Sequence, residues 1–98
     1  MILEHAILDI VGGQESDFEH AFEEASSIIS SMAGFRSLRL DRCVEQPSRY
    51  LLLVEWERLE DHVEGFRKSA EYQRWRGLLH RFYEPFPVVA HFEPRVRL

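Results

Sequence analysis

Ninety-eight residues, 45% hydrophobic and 30% charged, describe one small globular domain with a single modest core and exclude a disordered chain. The formal net charge of −5 excludes nucleic acid as a partner, because phosphate binding needs a basic face and Lys and Arg are here interleaved with Glu and Asp. No apolar run is long enough to cross a bilayer, Met1 to Val11 lack the pattern of a secretory leader, and the lone Cys43 cannot form an internal disulfide; the expected location is the cytoplasm.

Ile2 to Val11 reads as a strand apolar on both parities, with Ile2, Ala6, Leu8 and Ile10 on one and Leu3, Ile7 and Val11 on the other. Such a strand is covered on both faces and lies centrally in its sheet. Gly12-Gly13 ends it. Ser16, with Glu19 three residues on, forms a capping-box pattern that opens a helix. Its buried stripe is Phe18, Ala21, Phe22, Ala25, Ile28, Ile29 and Met32, and the acids at its start suit the helix dipole. Gly34 stands where a left-handed C-terminal cap is expected.

Phe35 to Val44 is a second strand whose polar content marks an edge. Gln46-Pro47-Ser48 turns the chain into a third strand, Arg49 to Glu57, completing a hairpin. Leu59 to Lys68 reads as a short helix that ends or bends near Gly65. Ser69 caps a further helix with the stripe Tyr72, Trp75, Leu79 and Phe82. Pro85 and Pro87 stop it, and Val88 to Phe92 is the last strand, ended by Pro94.

The order β-α-β-β-α-α-β is that of an α+β, ferredoxin-like split βαβ fold: an antiparallel sheet with its helices on one face. Because the central strands are apolar on both parities, the second face needs a cover. A second copy packed sheet to sheet, hence a homodimer, is the simplest one.

Both tryptophans fall between Tyr50 and Tyr83, as do three of the groups able to do chemistry near neutral pH or hold a ligand, His62, Tyr72 and His80. His62 stands among Glu60, Asp61 and Glu64, either as a solvated or capping histidine or as a general base working near neutral pH. Trp56, at a strand-to-helix junction, serves as core or as the wall of a pocket. Tyr72 and Trp75 face the sheet as core, or line a cavity for a flat ligand. Arg67 pairs with a nearby acid such as Glu64, or holds an enolate or carboxylate at a pocket mouth. His5 and His91 lie on strands expected to be antiparallel neighbours, close enough to share a polar group; no third residue completes a metal set, so no metal is expected. His20 and His80 read as exposed helix residues.

The chain from residue 2 to about 93 resembles the antibiotic biosynthesis monooxygenase family. The residues that carry the resemblance are Gly34-Phe35, Tyr50 through Trp56, the run Leu59, Glu60, Asp61, His62, Gly65, Phe66, Arg67 and Ser69, then Tyr72 and Trp75, and finally Pro87, Val88, His91 and Phe92. The resemblance implies a dimeric α+β barrel with one pocket per protomer between sheet and helices. Its best-known members oxidise electron-rich phenols or quinols with molecular oxygen, without metal or flavin. It therefore implies a cofactor-independent monooxygenase of a small phenolic, quinol or polyketide-like aromatic. His62 or His91 would be the base, and Trp56, Phe66, Arg67, Tyr72, Trp75 and His5 would hold the substrate. The alternatives are a non-catalytic small-molecule-binding or stress-response protein of the same fold, and a haem binder. The chain contains no Asn, so neither the Asn-Trp-His set of haem-degrading relatives nor the pocket Asn of phenol-oxidising ones is present.

Overall fold

A computed structural model describes residues 1–98. Four strands, β1 (Ile2–Asp9), β2 (Phe35–Arg42), β3 (Arg49–Trp56) and β4 (Val89–Phe92), form one sheet in the order β2-β3-β1-β4. Every neighbouring pair is antiparallel, and β1 and β3 are the two interior strands, as their apolar parities require. Helices α1 (Glu15–Ile29) and α2 (Ala70–Leu79) pack against each other over one face of this sheet. The fold is ferredoxin-like α+β, and no helix is long and apolar enough to cross a membrane.

Strand alternation divides the side chains between the two faces. Glu4, Ala6 and Leu8 of β1 and Tyr50, Leu52, Val54 and Trp56 of β3 are buried beneath the helices. They meet Phe18, Phe22, Ala25 and Ile29 of α1 and Trp75 and Leu79 of α2. The other parity, including Leu3, His5 and Ile7 with their cross-strand partners Leu51, Leu53 and Phe92, looks away from the helices. Ile7 and Phe92 there are 37% and 50% exposed.

Two local expectations change. The capping box at Ser16 does not form: α1 starts at Glu15, with Gln14 at the cap and no side-chain cap bond. The acids find tertiary donors instead, since Glu19 accepts from the Tyr50 hydroxyl (2.6 Å) and Glu15 from that of Ser48. Gly34 is left-handed (φ 83°), yet α1 ends at Ile29, so this glycine shapes the entry to β2 and not a helix cap. A Cβ at Gly34 would collide with the Asp61 side chain, so space and φ both demand glycine. Ser69 caps α2 as expected, its hydroxyl accepting from the Tyr72 N–H (3.1 Å).

The segment before that cap is the unusual one. Asp61–Phe66 is a single wide π-helical stretch, closed by the Arg67 N–H donating five residues back to the His62 carbonyl (3.0 Å). Such widened turns are uncommon and concentrate at functional sites. Here the turn buries His62 and Phe66 and leaves Gly65 on the outside.

Candidate active site

Between the sheet and the helical layer lies a cavity of about 320 Å³. Its floor is the helix-facing parity of the inner strands, Glu4, Ala6, Leu8 and Leu52. Phe66, Tyr72 and Trp75 form aromatic walls, with ring-centroid distances of 5.3 Å from Phe66 to Tyr72 and 5.7 Å to Trp75. Arg67 lies at the rim, and the loop after α2 brings Tyr83, Phe86 and Pro87 to the same space. Lys68, not Arg67, pairs with Glu64 (2.6 Å), so the Arg67 guanidinium has no acidic partner within ion-pair distance.

One carboxyl stands in this apolar floor. Glu4 is 5% exposed, and its Oε1 accepts from the Trp56 indole N–H at 2.9 Å. The same oxygen lies 3.3 Å from His62 Nε2, and His62 Nδ1 lies 2.7 Å from His91 Nε2. Three titratable side chains from β1, the wide turn and β4 thus form a line from the cavity floor to an edge strand. Register explains why: Glu4 is directly opposite His91 in the β1–β4 pairing, so both point to the helical side. The His62 ring stacks on Trp56, 5.4 Å between centroids and 20° between planes.

Burial sets the protonation of this line. It pushes the Glu4 carboxyl up to about 7, against the opposing pull of the Trp56 hydrogen bond and the Arg67 charge. It pushes His62 down to about 3, with Arg67 and His91 acting in the same direction. His91 is lowered by burial and then by Arg67. The close approach of His62 to Glu4 is therefore between a neutral imidazole and a carboxyl poised near neutrality, not an ion pair. Burial also lowers His80 and raises Tyr83, leaving both neutral at the cavity.

Phe66, Arg67, Tyr72 and Trp75 all line the cavity, as does His62, which is 3% exposed and neither solvated nor a cap. Three expectations are corrected. Trp56 is fully buried behind the lining, where it holds Glu4 and stacks on His62 instead of walling the cavity. His5 is opposite Ala90, one position out of phase with His91; it projects from the other sheet face and packs on Phe92 (5.5 Å), away from the cavity. His80 is half-buried and borders the cavity instead of facing solvent. His91 is not part of the lining and reaches the site only through His62.

Glu4 is the residue that sequence reasoning missed. The signal was present: position 4 shares its parity with Ile2, Ala6, Leu8 and Ile10, and an acid inside an apolar parity is the informative exception. No group of three or more His, Cys, Asp or Glu side chains is arranged to hold a metal ion.

The ferredoxin-like α+β fold is that of a known class, and this chain belongs to it. The antibiotic biosynthesis monooxygenase family matches residues 1–78, so the chain is a member of that family. The uncharacterized protein YczJ of Bacillus subtilis is 57% identical over 93 residues, covering 95% of this chain and 98% of that one. A Bordetella bronchiseptica structure assigned by name to the same family superposes with a TM-score of 0.92 at 34% identity, covering 97% of each chain. SnoaB of Streptomyces nogalater, a cofactor-independent oxygenase, gives a TM-score of 0.84 at 15% identity, covering 99% of this chain and 96% of that one; at that identity the likeness is one of fold.

Proposed function

We propose that this protein is a cofactor-independent monooxygenase of a small, flat phenolic or quinol-like compound, with Glu4 as the base. The observation that carries this reading is a carboxyl with near-neutral proton affinity on the floor of an aromatic cavity. A base is most effective when its pKa lies near the working pH, and apolar walls of this kind suit a planar ring system. Glu4 replaces His62 and His91 as the base, because His62 binds a proton too weakly and His91 does not reach the cavity.

The chemistry balances without a cofactor. Glu4 takes a proton from an acidic C–H of the substrate, and the unpartnered Arg67 guanidinium holds the resulting enolate. The carbanion gives electrons to O₂ and forms a C–O bond as a peroxide. Loss of the second C–H proton breaks the O–O bond, so that R₂CH₂ + O₂ becomes R₂C=O + H₂O. Carbon is oxidised and oxygen reduced by the same four electrons. That a fold neighbour, SnoaB, is a cofactor-independent oxygenase supports the reading.

Oxygen-electrode assays over a panel of anthrones and quinols test it. The expected result is uptake above the buffer rate, with one atom of ¹⁸O₂ appearing in the product. Saturable binding of these compounds without any accelerated uptake would leave a binding protein and sink the enzymatic reading.

We further propose that a second copy covers the open sheet face, sealing Leu3, His5, Ile7, Leu51, Leu53 and Phe92, and that the dimer works in the cytoplasm. His5 would then lie at the seam. Sedimentation should show a dimer at micromolar concentration and a monomer for Leu53→Arg. A monomeric wild-type protein would contradict this assembly.

A further inference from the structure

We infer that His62 and His91 form a proton relay that connects Glu4, at the bottom of the occupied cavity, to solvent at the edge strand β4. This inference rests on the reading of Glu4 as the base. It gives the two histidines a task that neither can perform as a base itself.

The geometry leaves Glu4 few other outlets. Trp56 touches the carboxyl but only donates, so it cannot accept a proton. Ala6 and Leu8 continue the floor with no polar side-chain atom. The cavity itself is the remaining opening, and a bound ring system occupies it. His62 is the one titratable side chain in contact with Glu4, and its far nitrogen ends on His91. His91 is partly exposed on an edge strand.

The 2.7 Å contact between two imidazole nitrogens needs one donor and one acceptor, so the two rings must keep matched tautomers. When Glu4 is ionised, His62 Nε2–H, 3.3 Å away and brought into line by a small turn of the ring, donates to it, and His91 Nε2–H donates to His62 Nδ1. When Glu4 holds a proton for transfer, its O–H faces the bare His62 Nε2, and His62 Nδ1–H donates to His91 Nε2. An outward transfer moves the Glu4 proton to His62 Nε2 and the His62 Nδ1 proton to His91 Nε2, and His91 releases its Nδ1 proton to water. Both rings finish in the opposite tautomer. The carboxylate so formed takes the two C–H protons in turn and hands them to the peroxide oxygen that becomes water, and an inward transfer along the same path then re-protonates Glu4 and restores both starting tautomers. One proton leaves and one returns in each turnover, consistent with the overall reaction. The two imidazoles are kept neutral by burial and by Arg67 at the end of the wide turn, while the same Arg67 favours the Glu4 carboxylate; His80 and Tyr83, both uncharged, and Tyr72 line the same cavity.

Two measurements on the full-length protein test the relay. In ¹⁵N-histidine spectra, His62 and His91 should exchange Nδ1–H for Nε2–H tautomers together as pH crosses the Glu4 titration, and Glu4→Gln should abolish the exchange. A His62 that keeps one tautomer throughout would overturn the relay whether or not the protein is an enzyme. In a weakly buffered stopped-flow experiment with 4-nitrophenol and an indicator dye, His91→Ala should slow proton release by about tenfold or more, with imidazole restoring it and the nitrophenol affinity unchanged. Release at the wild-type rate, or failure of imidazole to rescue a slowed one, would overturn it. Absence of oxygen uptake alongside a coupled tautomer exchange would count against the oxygenase reading alone.

Discussion

Glu4→Gln is expected to lower oxygen consumption by about a hundredfold or more while the fold is retained. The substitution is nearly isosteric, and the amide oxygen can still accept from the Trp56 indole N–H, so the loss would report removal of the base and not collapse of the floor. The reacting form of Glu4 is its carboxylate. In the wild type, kcat/KM should therefore rise with pH and level off above about 7, and the variant should lack that limb. A variant that retains the wild-type rate and limb would show that another group takes the proton.

The same substitution has a signature in stability. Burial raises Glu4 from its ordinary 4.5 to about 7, so between those values the folded protein binds more protons than the unfolded chain. Stability is present on the acid side and is lost as pH rises through 7, by roughly 3 kcal/mol in total. His62 works with the opposite sign: lowered from 6.5 to about 3, it makes stability fall as pH drops through that interval. The two slopes oppose each other between 4.5 and 6.5, which gives the wild type a plateau there. Glu4→Gln removes one slope, leaving stability to rise from pH 3 to 6.5 and then hold. Urea denaturation across pH would show both curves, and the variant should be the more stable protein above pH 7.

The second large effect is expected at Trp56. This ring is fully buried, stacks on His62, contacts Phe35 and Phe66 and supplies the hydrogen bond to Glu4. Trp56→Ala should cost about 3–5 kcal/mol from the cavity alone, a large part of the roughly 5–15 kcal/mol that holds a domain of this size. Trp56→Phe separates packing from hydrogen bonding. It keeps most of the ring and removes the N–H that favours the carboxylate, so the activity limb should move to higher pH. Stability should fall by about 1–3 kcal/mol for the donor lost to a buried acceptor. Trp75 remains as the fluorescent reporter in both variants. An unmoved limb in Trp56→Phe would mean that Trp56 is packing only.

Much of the fold was legible because each element repeats its period. The stripe from Phe18 to Ile29, the hairpin around Pro47 and the Ser69 cap all stand where residue spacing placed them. Local polar chemistry was less reliable. Ser16 and Glu19 carry the capping-box pattern, but Tyr50 offers Glu19 a better donor, and that partner lies 31 residues away. The site was legible in part. Phe66, Arg67, Tyr72 and Trp75 reach the cavity because helical spacing aims them at the sheet. What spacing could not supply was register: a shift of one position separates His5 from His91 and joins Glu4 to His91. The wide turn at Asp61–Phe66 also has no simple sequence signature, yet it is what buries His62. Gly65 marked the irregularity without revealing its form.

Burial beneath an aromatic cavity tunes one carboxyl of this chain, that of Glu4, toward neutral pH. Side-chain carboxyl ¹³C NMR on glutamate-labelled protein measures it directly. One resonance should titrate at about 7, be absent from Glu4→Gln and move upward in Trp56→Phe. A spectrum in which every glutamate is ionised above pH of about 5, in the ordinary carboxylate range, would contradict it.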